Sequence, residues 1–175
     1  MTTRVRFTYE DLQDFQDDKR REVIEGEIYV TPAPAPRHQR VVGNLFAALW
    51  NHLKAHPLGE VFVAPVDVIF SAEDVTQPDL VYVANERAAI VTTRGIEGPP
   101  SWVVEVLSPS TQKRDMGVKL KLYQNYGLGA YWVVDPEDET VYAWDDGFVL
   151  NRYRRDEVAK VSLLPDFELP LHELF

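Results

Sequence analysis

The sequence has no cysteine in its 175 residues, so it has neither a disulfide framework nor a thiolate metal site. It also lacks any apolar run near the roughly 20 residues that a membrane-spanning helix needs. The start, MTTRVRFTYEDL, does not combine a basic stretch with a following apolar one, so we expect no secretory signal. These absences favour a cytoplasmic protein with no membrane partner.

A surplus of positive charge is missing as well. The chain has 28 acidic and 18 basic residues, a net charge of −10, which argues against a protein that coats nucleic acid. Residues 135–175 contain 11 acidic and 4 basic residues, whereas residues 101–134 contain 2 acidic and 4 basic ones. The slight excess of basic residues over 101–134 is therefore compatible with a local anion-binding site there.

The apolar pattern predicts a mixed α/β protein. With 45% hydrophobic and 26% charged residues, the chain suffices for one compact domain, which we place at 1–175. Helical spacing predicts helices over 37–56 and 112–126, and Glu25-Gly26 and Asp146-Gly147 predict hairpin turns. The predicted strands are 60–70, 78–84, 101–108 and 130–135. This order predicts a central mixed sheet partly covered by helices, with an N-terminal hairpin and further C-terminal strands.

Three charged residues interrupt the apolar patterns. Asp79 begins the strand DLVYVA, and Glu105 interrupts WVVEVL, whose other residues are apolar on both faces. A carboxylate there is costly unless it is paired, protonated or bound to a metal. On a wheel at about 100° per residue, Lys119 falls within the apolar arc, whereas Arg114 and Lys121 fall on the opposite face. Lys119 is therefore expected to point toward the sheet.

Two carboxylates from neighbouring strands and one inward lysine suit phosphodiester hydrolysis. Carboxylate oxygens bind a hard cation such as Mg²⁺, which polarises a phosphoryl oxygen and lowers the pKa of a bound water. A lysine can position that water or neutralise charge that develops on the phosphate. The alternative is a structural network of ion pairs between sheet and helix.

The same residues lie in segments that resemble a known family. In order, QPDLVYV, WVVEVLSPST, DMGVKLKLYQNYG and AYWVVDP are similar to the Uma-type family of bacterial proteins, candidate restriction endonucleases of the PD-(D/E)XK nuclease superfamily. The resemblance extends over nearly the whole chain, from EVIEGEIY to the LPDFELPLHELF tail. It implies a restriction-endonuclease-like α+β fold and a nuclease site that uses Mg²⁺, for which Mn²⁺ can substitute.

The resemblance also implies roles for the three charged residues. Asp79 matches the motif aspartate and Glu105 the D/E position, so these two are the implied metal ligands. Leu107 stands where the superfamily motif usually has its lysine, and the lysine is instead supplied by the following helix, at Lys119. The helical wheel points to the same lysine independently.

Four further residues are candidates for supporting roles. Glu22 matches the family's acid before the hairpin glycine, and it is either a metal or water ligand or a surface acid of the hairpin. His38 opens the first long helix at the family's histidine position, where it either reaches a phosphate or water or caps the helix. Asp67, in the apolar strand APVDVIF, could support the site from behind the metal ligands, and Gln77 could orient them.

Two functions from different classes remain open. The first is a Mg²⁺-dependent endonuclease that hydrolyses DNA with a metal-activated water, as a homodimer that addresses both strands. The second is a catalytically inactive homo-oligomeric module, with a regulatory or interaction role, that retains the nuclease fold. The acidic net charge and Leu107 favour the second function, and the predicted convergence of three charged groups favours the first.

Overall fold

The computed structural model describes residues 5–175. Residues 1–4 lie outside the described residues. They are part of the segment in which we expect no secretory signal and of the expected domain 1–175. Within residues 5–175, thirteen strands form three sheets of five, six and two strands. No helix in this part of the chain is long and apolar enough to cross a membrane.

The strands and helices have the following bounds. The strands are β1 (Arg20–Ile24), β2 (Glu27–Thr31), β3 (Gly59–Val63), β4 (Val68–Ser71), β5 (Asp74–Thr76), β6 (Leu80–Ala84), β7 (Ile96–Glu97), β8 (Trp102–Val106), β9 (Ala130–Asp135), β10 (Thr140–Asp145), β11 (Val149–Arg154), β12 (Val158–Val161) and β13 (Leu164–Pro170). The α-helices are α1 (Tyr9–Gln13), α2 (Pro36–Ala55) and α3 (Leu120–Asn125). A π-helical turn, Arg114–Lys119, leads directly into α3.

The six-stranded sheet has the order β11-β10-β9-β8-β6-β3 and is mixed, as predicted. Strands β8 and β9 are parallel because the chain between them crosses over through the π-helical turn and α3. The other neighbouring pairs in this sheet are antiparallel. The five-stranded sheet, β2-β1-β5-β4-β7, contains the N-terminal hairpin.

The central strands of the six-stranded sheet, β6, β8 and β9, are buried on both faces. One face packs on α2 and on the β12–β13 pair, with Leu45, Val104 and Trp132 in that core. The other face packs on α3 and the N-terminal hairpin, with Tyr123 and Tyr131 in a second core. Because both faces are covered, the central strands are apolar almost throughout.

Both predicted hairpin turns form. Glu25 and Gly26 have φ of 52° and 75°, the left-handed pair that a two-residue turn between twisted strands requires. Asp146 and Gly147, with φ of 40° and 78°, begin the turn between β10 and β11. The tight connection of β1 to β2 sets the register that places Glu22 opposite Tyr29.

The prediction of one strand over 60–70 is wrong. Strand β3 ends at Val63 and β4 begins at Val68, and the two belong to different sheets. Pro65 lies in the gap, where it lacks the N–H that a central strand donates to its neighbour. Asp67 therefore lies in the connection before β4 and not within an apolar strand.

Candidate active site

Asp79 and Glu105 are brought together by the pairing of β6 with β8. The register places Leu80 opposite Val104 in this antiparallel pair, so Asp79 comes opposite Glu105 one step further along. Successive side chains of a strand alternate between its faces. Because Val104 packs in the core on the α2 side, Glu105 points to the face that α3 covers. The two predicted partners therefore lie side by side on neighbouring segments.

Lys119 points inward, as the helical wheel predicts. Its side chain is 2% exposed, and its Nζ lies 2.7 Å from Glu105 Oε1 and 2.7 Å from Glu22 Oε1. Asp115 Oδ1 is 3.7 Å from the same nitrogen. Burial lowers the pKa of Lys119, but Glu105 and Glu22 more than offset this and hold that pKa well above its usual value. Lys119 is therefore a cation that joins the helix to two strands.

Asp79 is buried just before β6 and is held by two hydrogen-bond donors. Its Oδ2 accepts from His38 Nε2 at 3.1 Å and from the Val106 N–H at 2.8 Å, and Arg20 Nη1 lies 3.9 Å from its Oδ1. Burial raises the pKa of Asp79, but His38 and the Val106 N–H outweigh burial and make the net shift downward. Asp79 is therefore an ionised oxygen donor at neutral pH.

His38 does not cap α2. The helix begins at Pro36 after an N-cap at Ala35, and the His38 side chain bonds to Asp79 instead. Its Nδ1 is buried and has no hydrogen-bond partner among residues 5–175. Because the imidazole is fixed through Nε2, His38 is placed to hold the Asp79 carboxylate in one orientation.

Glu22 is not a surface acid of the hairpin. Its side chain is 2% exposed, and it pairs with Lys119 and with Arg114, whose Nη2 lies 3.5 Å from Glu22 Oε2. The Gln77 backbone N–H donates to Glu22 Oε1 at 2.8 Å. Burial raises the pKa of Glu22, but Lys119 and Arg114 outweigh burial and lower it overall. Glu22 is therefore a charged anchor for the lysine.

Gln77 and Asp67 stand behind Glu22. Gln77 Nε2 donates to Asp67 Oδ1 at 2.8 Å, and Arg20 Nη2 donates to the Gln77 carbonyl at 2.7 Å. Asp67 is not among the described residues that line the cavity around Lys119. Its contact with the site therefore runs through the Gln77 side chain.

The site brings four carboxylates close to the cations Lys119, Arg20 and Arg114. Glu22, Asp79, Glu105 and Asp115 are all buried around the single ammonium group of Lys119. Burial raises the pKa of Glu105, and neighbouring carboxylates raise it further against the effect of Lys119. Burial also raises the pKa of Asp115. Shifted pKa values of several neighbouring groups in one cleft are typical of functional sites.

Arg114 contradicts the wheel, which places it on the solvent face. Its side chain is 11% exposed, its Nη2 donates to Thr31 Oγ1 at 3.0 Å, and its guanidinium lies 5.7 Å from the centre of the Tyr29 ring. The wheel assumes α-helical rotation throughout, whereas Arg114–Lys119 is a wider π-helical turn. The hairpin also covers this side of the turn, so Arg114 is largely covered by β2.

Asp115 and Tyr123 belong to the site although they were not among the predicted site residues. The Tyr123 hydroxyl lies 3.2 Å from Glu105 Oε1 and 3.1 Å from Thr76 Oγ1. Asp115 and Tyr123 are spaced four residues before and after Lys119, which puts all three on one stripe of the helix. That spacing was the available signal.

A cavity of about 210 Å³ gives access to these groups. Two segments border it: the proline-rich segment 31–35 that follows β2, and the loop 108–111 that follows β8. The charged side chains in its wall are Arg20, Glu22, His38, Asp79, Glu105, Arg114, Asp115 and Lys119. Carboxylates, an ammonium group and two guanidinium groups therefore meet in one small space.

A family model described as "Putative restriction endonuclease", Uma2, matches residues 7–172. The chain belongs to the Uma2 family. This assignment confirms the resemblance on which the predicted nuclease fold was based, and it covers the hairpin, both long helical segments and the strands that carry the site.

Two relatives extend the comparison. The uncharacterized protein slr1290 of Synechocystis is 29% identical over 154 residues, which cover 83% of this chain and 78% of that protein. The crystal structure of a protein from Anabaena variabilis, titled a putative nuclease belonging to DUF820, matches with a TM-score of 0.82 at 20% identity. That match covers 97% of both chains and confirms the α+β, nuclease-like fold.

The donor set of this Uma2 protein offers two carboxylates to a divalent cation. Among the described residues, no group of three or more His, Cys, Asp and Glu side chains is arranged to hold a metal ion. Mg²⁺, however, usually keeps several waters and takes one or two carboxylates together with substrate phosphate oxygens. Asp79 and Glu105 line the same cavity and supply oxygen donors of that kind.

Proposed function

We propose that this protein is an endonuclease that hydrolyses phosphodiester bonds of DNA with Mg²⁺, for which Mn²⁺ can substitute. Asp79 and Glu105 would hold the metal ion, and Lys119 would act on the water or on the scissile phosphate. The observation that carries the proposal is the 2.7 Å contact of Lys119 with Glu105 in the wall of a cavity that Asp79 also lines.

Each part of the site has a distinct task in this proposal. A bound Mg²⁺ would supply polarisation of the phosphoryl oxygen and a lowered pKa of water. Lys119 remains protonated because its pKa is raised, so it serves as a positive charge and hydrogen-bond donor and not as a general base. Two of its three N–H groups face Glu105 and Glu22, which leaves one for the phosphate or the water.

The two arginines of the cavity would also bind the substrate phosphate. Arg20 and Arg114 line the cavity with Lys119, and their guanidinium groups suit the recognition of phosphate oxygens. His38 would position Asp79, and Glu22 would position Lys119, since each makes a direct contact with its partner. Gln77 and Asp67 would keep Glu22 in place through the chain of hydrogen bonds behind it.

The position of Lys119 compensates for Leu107. Leu107 is buried in the apolar core on the α3 side, where a charged side chain would be costly. Lys119 reaches Glu105 from the neighbouring helix instead. This contact therefore supports a role for Lys119 in place of a lysine at position 107.

Cleavage assays test this proposal directly. Labelled single-stranded and double-stranded DNA oligonucleotides are incubated with Mg²⁺, with Mn²⁺ or with EDTA. We expect cleavage with either metal, none with EDTA, and a loss of about 100-fold or more in Lys119→Met. Lys121→Met, an exposed lysine of the same helix, is the matched control. Equal rates for the wild type and Lys119→Met would refute the role of the lysine.

The second candidate is the inactive homo-oligomeric module. The net charge of −10 and Leu107 favour it. Calorimetry separates the two functions, because an intact nuclease site should bind Mg²⁺ or Mn²⁺ and lose that binding in Asp79→Asn. A wild-type protein that binds neither ion would support the inactive module.

The proposal also includes assembly and location. We propose a cytoplasmic homodimer in which residues 1–175 form one domain, since two-fold symmetry lets a small nuclease address both strands. Light scattering on the purified protein should give twice the mass of the chain. A mass equal to that of one chain would leave the cleavage proposal intact and remove the dimer from it.

A further inference from the structure

A second cavity of about 300 Å³ adjoins the cavity around Lys119. The two share four wall residues, which are Ala35, His38, Ser108 and Pro109. His38 is thus part of both walls, while its Nε2 donates to Asp79. A molecule that places a phosphate among Arg20, Arg114 and Lys119 would therefore extend into the second cavity past His38.

The second cavity combines apolar surface with an exposed amide. Leu107, Pro109 and Pro136 supply apolar surface. Gln112 also lines the cavity, and its side chain is exposed. Apolar surface with a few free polar groups is the usual composition of a site for a flat organic group.

The charges of the second cavity exclude a phosphate. Asp135, Glu137 and Asp138 line it. Of the two basic residues in its wall, counted over residues 5–175, Arg37 is paired with Glu137 at 3.2 Å and His38 is bonded to Asp79. A phosphate there would face a surplus of carboxylates, which would not repel an uncharged group. The two neighbouring cavities are therefore complementary to a phosphate and to a neutral group, respectively.

We propose that the second cavity is a subsite for a nucleobase, namely the base of the nucleotide next to the phosphate bound beside Lys119. The proposal rests on the proposed function, since it needs a phosphodiester in the first cavity. Pro109 and Pro136 would contact the faces of the base, and the Gln112 amide would hydrogen-bond to its edge. A base held in this way cannot be paired or stacked in a duplex, so the substrate is a single-stranded or locally opened nucleic acid.

Binding of small probes tests the subsite without any cleavage. Titrations with dAMP, AMP and deoxyribose 5-phosphate are followed by calorimetry or NMR, in the absence of divalent metal. We expect both nucleotides to bind about tenfold more tightly than the sugar phosphate, and the preference between dAMP and AMP separates DNA from RNA as the source of the base. Gln112→Ala should reduce this advantage, whereas Gln124→Ala, at an exposed glutamine of α3 outside both cavities, should not.

Cleavage distinguishes failure of the subsite from failure of the proposed function. We expect a single strand to be cut at least about tenfold faster than its duplex, and an abasic nucleotide to suppress cut sites next to it. Equal cleavage of both substrates, with no effect of the abasic nucleotide, would overturn the subsite and leave the nuclease. Tighter binding of nucleotides with no cleavage of any substrate would support the subsite and refute the nuclease. Binding of deoxyribose 5-phosphate as tight as that of dAMP would overturn the subsite.

Discussion

Lys119 is as buried as the leucines of the core, a position that is costly for a charged ammonium group. Its charge is retained because Glu22 and Glu105 each lie 2.7 Å away. Those carboxylates in turn are kept in an apolar surrounding by the lysine. At the scale of single residues, the site is therefore a cluster of buried charges in which each group lowers the energetic cost of burying its oppositely charged neighbours.

Removal of the lysine should be strongly destabilising at neutral pH. Lys119→Met leaves Glu105 without its cationic partner and Glu22 with Arg114 alone, for which we expect a loss of about 3–5 kcal/mol in the free energy of unfolding. Without the cation the pKa values of these carboxyls rise in the folded state, so protonation relieves the cost as the pH falls. Denaturant unfolding should thus show a larger difference between variant and wild type at pH 8 than at pH 5. A difference that does not change with pH would contradict this.

The Tyr123 hydroxyl should contribute to stability through Glu105. Tyr123→Phe removes a hydroxyl that lies 3.2 Å from the carboxylate in a buried site, so we expect a loss of about 1–3 kcal/mol. Thermal unfolding measures this loss. Tyr126→Phe removes a hydroxyl that donates to Asp74 at the half-exposed end of the same helix, and it should cost less because water can replace the bond. Equal losses would argue against the buried contact.

At the scale of elements, the π-helical turn before α3 decides which side chains enter the site. It carries Arg114, Asp115 and Lys119, and all three line the cavity. Segments of π-helix are rare in proteins, but those that occur are often found at functional sites. From this turn Arg114 reaches the hairpin, while Lys119 reaches Glu105 of the sheet.

Two glycines of this helical segment should respond oppositely to alanine. A Cβ added at Gly117 or at Gly127 meets nothing within 4 Å, so neither substitution is sterically blocked. Gly117 lies inside the helical segment, where Gly117→Ala should stabilise the protein by about 0.5–1 kcal/mol. Gly127 ends the helix with φ of 69°, so Gly127→Ala should destabilise it. Denaturant midpoints measure both effects, and shifts of the same sign would refute the explanation.

At the scale of the whole molecule, the negative net charge opposes the attraction of nucleic acid. The net charge is −10, while the cations that face a substrate are a few side chains inside one cavity. Such a protein attracts a polyanion weakly over long distances. Binding must therefore depend on contacts at the site and not on a broad basic surface.

The salt dependence of oligonucleotide binding should reflect the small number of cations that face the substrate. We expect the logarithm of the binding constant for a single-stranded oligonucleotide to fall with the logarithm of salt concentration with a slope shallower than about −2, because few phosphates can be contacted. Fluorescence anisotropy between low and moderate salt measures the slope. A steep slope would indicate a basic surface that the cavity does not include, and Arg114→Gln should make the slope shallower still.

Much of the fold follows from local patterns. The helices over 37–56 and 112–126, the hairpin turns at Glu25-Gly26 and Asp146-Gly147 and the buried strand at 130–135 all form, because periodicity and turn residues act over short distances. The split of the strand over 60–70 between two sheets was not predicted, since strand partners are chosen by distant segments.

The sequence by itself determined which charges are out of place: Asp79, Glu105 and Lys119 each break an apolar pattern, and such a charge must find a partner when it is buried. The tertiary structure decided the further partners, Glu22 and Arg114. Glu22 is 97 residues from Lys119 in the chain, and Arg114 turns inward because the hairpin covers it, so neither contact has a local signature. Periodicity records which side of an element is apolar, but which element comes to lie against it depends on how distant segments pack.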